Sequence, residues 1–93
     1  MNRKKLNIAR KKIDKLDIKL FELIKKRTFV VKKMLLLKNK KSQIVDKKRI
    51  NEIMKKIKNK SLKNKIDPKI TQDIWKSMIW SYIKYQRKNF KKK

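Results

Sequence analysis

Arg27 stands where a helical apolar stripe calls for a hydrophobe. Leu6, Ala9, Ile13, Leu16, Leu20 and Leu23 step by threes and fours, and the next two steps reach Arg27 and then Val30. A cation held in a packing stripe needs an anionic partner, yet the chain has only 7 Asp and Glu against 33 Lys and Arg. Lys38 lies eleven residues further on, which on an ideal helix is about 16 Å of rise and about 20° past three full turns. Arg27 and Lys38 therefore share a face, and both long side chains can lean toward one small anion. Arg10, seventeen residues before Arg27, is about 25 Å away and some 100° out of phase. It cannot serve that ligand from the same chain, but in an antiparallel dimer it could serve the partner's site.

Three more positions join these cations. Gln86 falls seven residues after Ile79 and four after Tyr82, so it extends an apolar line with a neutral donor and acceptor. Asp46 and Arg49 open a helix one turn apart. Each has a bland reading as well: Arg27 snorkels to water, Lys38 is one lysine among many, Gln86 is exposed near the chain end, Asp46 is only a cap, and Arg49 is solvated.

The missing residue types narrow the chemistry. With His 0 and Cys 0 there is no imidazole base, thiol nucleophile, conventional zinc site or disulfide, and with Gly 0 there is no phosphate-cradling Gly-rich loop. No cofactor and no metal are expected. No stretch is apolar and long enough to span a bilayer, and MNRKKLNIARKK lacks a signal-peptide core, so the cytoplasm is the expected location. The net charge of +26 opposes compaction and attracts any polyanion. Its excess of Lys, Asn and Ile reads as the imprint of an A+T-rich genome. The competing reading is a basic helical nucleic-acid-binding protein displaying Trp75, Trp80, Tyr82 and Tyr85, but the lysines fall all around the helices, so no specific nucleic acid is expected.

The elements that must position these residues are all helical. The pattern predicts a first helix over about 4–40, a polar break NKKSQIV, a second helix over 46–60 capped by Asp46, and a third over 68–89 opened by Asp67 and Pro68. A basic tail at 90–93 completes a single domain spanning 1–93. A first helix of roughly 35 residues would be about 50 Å long, against a radius of gyration of about 12 Å for a compact chain of this size. Its two short companions cannot cover it. The expected fold is thus all-α, one very long and two shorter helices, intertwined with a second copy as a homodimer.

The spaced residues resemble the all-helical chorismate mutase family from Leu6 to Gln86. ARKKIDKLDIKLFELIKKR carries Arg10, Ile13, Asp14, Leu16, Asp17, Leu20 and Arg27 in the family's spacing; Lys38, IVDKKR, IDPKI and MIWSYIKYQ follow in order. The resemblance implies a homodimer with two equivalent sites for chorismate, each built mainly from one chain plus Arg10 of the other. It implies that Arg10 and Arg27 hold the substrate's carboxylates, that Lys38 and Gln86 reach its ether oxygen, and that Asp46 and Arg49 border its hydroxyl side. No dehydratase, dehydrogenase or regulatory segment is expected within the chain. Two positions depart from the mutase pattern. Ile50 follows Arg49 where the family has a glutamate, and Tyr82 stands four before the glutamine where many mutases have a small hydroxyl residue. Both changes resemble the related isochorismate-pyruvate lyases, whereas Asp46 matches the mutases better.

The implied reaction suits a chain with no His and no Cys. Chorismate becomes prephenate when one carbon–oxygen bond breaks as a carbon–carbon bond forms, with no proton transfer and no covalent intermediate. The enzyme has to hold a flexible dianion in its compact shape and meet the charge growing on the ether oxygen. Arginine and lysine are suited to that work.

Overall fold

The computed structural model describes residues 2–91. Among them are three α-helices and no strand: α1 (Arg3–Leu37), α2 (Lys47–Lys63) and α3 (Pro68–Asn89), with a short 3-10 turn at Lys41–Gln43 between the first two. The all-α expectation holds. Of the basic tail at 90–93, Phe90 and Lys91 are described and the last two residues lie outside the described ones.

Two helix boundaries differ from the pattern, each for a local reason. The first helix was expected to reach about 40, but α1 stops at Leu37. The Gln43 Oε1 accepts from the Asn39 N–H at 2.7 Å and the Lys40 N–H at 2.9 Å, donors that a continuing helix would have given to carbonyls one turn back. The second helix was expected over 46–60, but α2 continues to Lys63. It ends in a paired turn: the Ile66 N–H bonds the Ser61 carbonyl at 2.9 Å and the Lys65 N–H reaches the Leu62 carbonyl at 3.4 Å. This Schellman geometry needs a left-handed residue, normally glycine. In a chain with no glycine, Lys65 takes that role at φ 57°.

Capping fixes the helix starts. The Asp46 side chain accepts from the Arg49 N–H at 3.0 Å and the Asp67 side chain from the Lys69 N–H at 2.9 Å, each satisfying a donor with no intrahelical partner. The Asn2 Oδ1 accepts from the Lys5 N–H at 3.0 Å at the head of α1.

The chain divides into two compact units, one ending at Lys32 and the other running from Lys33. The first is helical from Arg3 and leaves much of its apolar stripe in the open: Ile13, Leu16, Leu20 and Leu23 are 54–62% exposed. In the second, α2 and α3 pack together over a small core of Leu35, Ile44 and Ile83, with Val45, Ile50, Ile79, Tyr85 and Phe90 against it. Full burial of one such aliphatic side chain is worth about 1.5–3 kcal/mol. Ile44 comes from the polar break, so the connector itself is anchored in the core.

Candidate active site

Lys38 is the first residue past α1, and its Nζ donates to the Gln86 Oε1 at 2.6 Å. Gln86 is buried on α3 at 6% exposure, and its Nε2 donates to the Tyr82 carbonyl one turn earlier at 3.2 Å. The amide is therefore held at both ends, its oxygen turned to the ammonium. A buried amide left unpaired would be costly, and no buried side-chain nitrogen or oxygen among the described residues lacks a partner. Leu35, one turn before Lys38, and Ile83, one turn before Gln86, meet in the core. Their packing draws the amine and the amide together.

Burial pushes the Lys38 amine below its ordinary value, and the nearby Asp46 carboxylate works against that by favouring the charged form. Asp46 is itself exposed, and its Oδ1 is taken up by the Arg49 N–H. The Arg49 guanidinium lies 3.9 Å from the Glu52 carboxylate, with both side chains more than half exposed, so that pair contributes little. Tyr82 is half-buried and enters the site through its carbonyl.

Lys38, Asp46, Arg49, Tyr82 and Gln86 are thus linked within the second unit. Arg10 and Arg27 belong to the first. There Arg27 is half-buried, and Arg10 is exposed beside Arg3, Leu6 and Asn7 on one concave patch of α1. Ile50 is half-buried against the core and lines an apolar groove between α2 and α3 with Met54, Ile79, Trp80 and Ile83. Sequence reasoning passed over Gln43 and Ile44, which set the connector. The adjacent apolar pair Ile44 and Val45 inside a polar break was the available signal.

The second unit is all-helical and sets a half-buried amine against a buried amide, in a chain with no His or Cys. Residues 9–87 match the chorismate mutase type II family, and the chain belongs to that family, whose members are intramolecular isomerases acting on chorismate. No curated protein and no solved structure matched the chain.

Proposed function

We propose that residues 1–93 act as one chorismate mutase domain, rearranging chorismate to prephenate for phenylalanine and tyrosine synthesis in the cytoplasm. The observation that carries this reading is the Lys38–Gln86 contact at 2.6 Å: the ammonium keeps two N–H donors beyond that bond and the Gln86 Nε2 keeps one beyond its bond to the Tyr82 carbonyl, donors of the kind a developing ether oxyanion needs. Arg27 and Lys38 clamp the dianion from one subunit, and Arg10 of the partner subunit completes the clamp. Bidentate guanidinium contacts fix each carboxylate and hold the enolpyruvyl side chain over the ring. The exposed stripe at Ile13, Leu16, Leu20 and Leu23 supports a second copy packing on α1, because exposed leucines at this spacing are an unfilled interface. Asp46, Arg49 and Tyr82 border the bound ring.

A second reaction on the same fold has its own supporting observation. Ile50 packs into an apolar cluster and offers no acceptor to a ring hydroxyl, which suits isochorismate-pyruvate lysis. The test is a side-by-side assay of chorismate and isochorismate on one preparation. Consumption of chorismate with prephenate as product, lost in Arg27→Ala and Lys38→Ala, is the expected result. Salicylate from isochorismate, with chorismate untouched, would move the assignment to the lyase.

A further inference from the structure

We propose that Gln43 is a positioning residue for Lys38: by capturing the two amides that follow the lysine, its side chain sets where the amine meets Gln86. The Asn39 N–H belongs to the planar peptide unit that begins at the Lys38 carbonyl, so whatever holds that N–H fixes the ψ of Lys38. The Gln43 Oε1 holds it at 2.7 Å and takes the Lys40 N–H as well, at 2.9 Å. In return the Gln43 N–H donates to the Lys40 carbonyl at 3.0 Å. Residues 40 and 43 are bonded in both directions, and the turn after the lysine is closed.

The chain on either side is anchored in one core. Before the turn, the Lys38 N–H reaches the carbonyl of Leu35 at 3.2 Å, and after it the Ile44 N–H bonds the Lys41 carbonyl at 3.1 Å. Leu35 and Ile44 are both buried, against Ile83 of α3. What these anchors leave open is the path between them, and the two bonds to Gln43 choose it. Without that oxygen, the Asn39 and Lys40 amides would have the Leu35 and Leu36 carbonyls one turn back as acceptors, and Lys38 would be drawn into a continuing helix. Its flexible stem could still reach Gln86 from there, but as one conformer among several. Alignment of a donor before the reaction is what an oxyanion site supplies, so the 2.6 Å contact between Lys38 and Gln86 depends on a side chain that belongs to neither helix.

Gln43 is exposed, so replacing it opens no cavity in the core. Gln43→Met keeps the length of the side chain and removes the acceptor, whereas Gln43→Glu keeps an acceptor oxygen at the same reach. In the full-length protein, the Gln86 side-chain amide resonance, assigned by its loss in Gln86→Leu, is followed by NMR in both variants beside kinetics on chorismate. In Gln43→Met the resonance should move and kcat should fall roughly tenfold, with KM changed by no more than about twofold. Gln43→Glu should restore both, which a loss of turn stability alone would not require. An unmoved Gln86 resonance in Gln43→Met overturns the proposal, as do equal losses in the two variants or a change confined to KM. The inference rests on the mutase reading for its kinetic readout alone. A resonance that moves in Gln43→Met and returns in Gln43→Glu, in a protein inert toward chorismate, would uphold the positioning and sink that reading instead.

Discussion

Lys38 and Gln86, 48 residues apart in the chain, meet at 2.6 Å where the end of α1 passes the last turns of α3. Their encounter is enforced from below by Leu35 and Ile83, each one turn earlier on its own helix and both buried. The core and the candidate site are therefore built together, with the amine and the amide as the polar rim of the core. If Lys38 and Gln86 stabilise the oxyanion, removing either should act on the chemical step more than on binding. Lys38→Ala is expected to lower kcat by roughly 10²–10³, and Gln86→Leu should also depress kcat, with smaller changes in KM. Steady-state kinetics on chorismate checks both; a change confined to KM would place these groups in ground-state binding.

The pH profile follows from the charge state of Lys38. On the proposed mechanism its charged form meets the substrate, so activity should be present below its pKa and disappear as pH rises through it. Because burial lowers that pKa, the loss should begin at a lower pH than an ordinary lysine would give, after a flat stretch from neutral to mildly alkaline conditions. Stability has the opposite sign. Between the lowered pKa and the ordinary 10.5, the unfolded chain binds more protons at this group, so its contribution to stability rises with pH. Lys38→Arg, charged throughout, should extend the flat stretch. A steep activity loss between about pH 6 and 8, the range where unperturbed imidazoles titrate, would point to a different group in a chain with His 0.

The sequence was most legible where local chemistry decides the structure. Asp67 and Pro68 announced α3 because a cap and a proline act within one turn. The end of α1 was misplaced because Gln43, a side chain beyond the helix, captures the two amides at Asn39 and Lys40. Periodicity cannot register such a competitor. The last residues of α2 were missed since Ser61, a poor helix former in isolation, is stabilised there by the Ile57 carbonyl and the Thr71 hydroxyl. Spacing placed Lys38 and Gln86 on suitable faces, but their meeting depends on how α1, the connector and α3 pack. The roles proposed for Arg10 and Arg27 rest on helical phase and on the family resemblance.

The exposed face of α1 makes the proposed dimer testable apart from catalysis. Leu16 and Leu20 are 61% and 54% exposed in the single chain, so charging them costs the isolated fold little. At the centre of a two-fold interface the same change would bury a charge without a partner. Leu16→Glu with Leu20→Glu should therefore yield monomers by sedimentation and abolish turnover, since Arg10 would no longer reach a neighbouring site. A monomer retaining full activity would show that one chain suffices.

Lys65 offers a gain in stability far from the site. Its φ of 57° places a Cβ-bearing residue in a conformation that costs about 1–2 kcal/mol. Glycine removes that cost and adds back part of it as unfolded-chain entropy. Lys65→Gly should stabilise the fold by about 0.5–1 kcal/mol and raise Tm by a few degrees, as thermal unfolding would record. No change in Tm would mean that the turn carries no strain.

Ser61 and Thr71 join α2 to α3 through hydroxyls with too few hydrogens for the contacts they make. The Ser61 Oγ lies 2.6 Å from both the Ile57 carbonyl and the Thr71 Oγ1, which is also 3.3 Å from the Pro68 carbonyl. Two hydroxyl hydrogens cannot fill three such contacts. The distances favour Ser61 donating to Ile57 and Thr71 donating to Ser61, with Pro68 as the long alternative. In Ser61→Ala, Thr71 can turn to the Pro68 carbonyl instead of being stranded, so the loss should be about 1 kcal/mol, below the larger penalty of a fully unsatisfied buried group. Thr71→Val leaves Ser61 its bond to Ile57 and should cost a similar amount. The double variant should cost clearly less than the sum of the two, because the interaction lost in each is the same one. Urea unfolding of the four proteins in the cycle measures that coupling, and strict additivity would show that the two hydroxyls do not act as a pair.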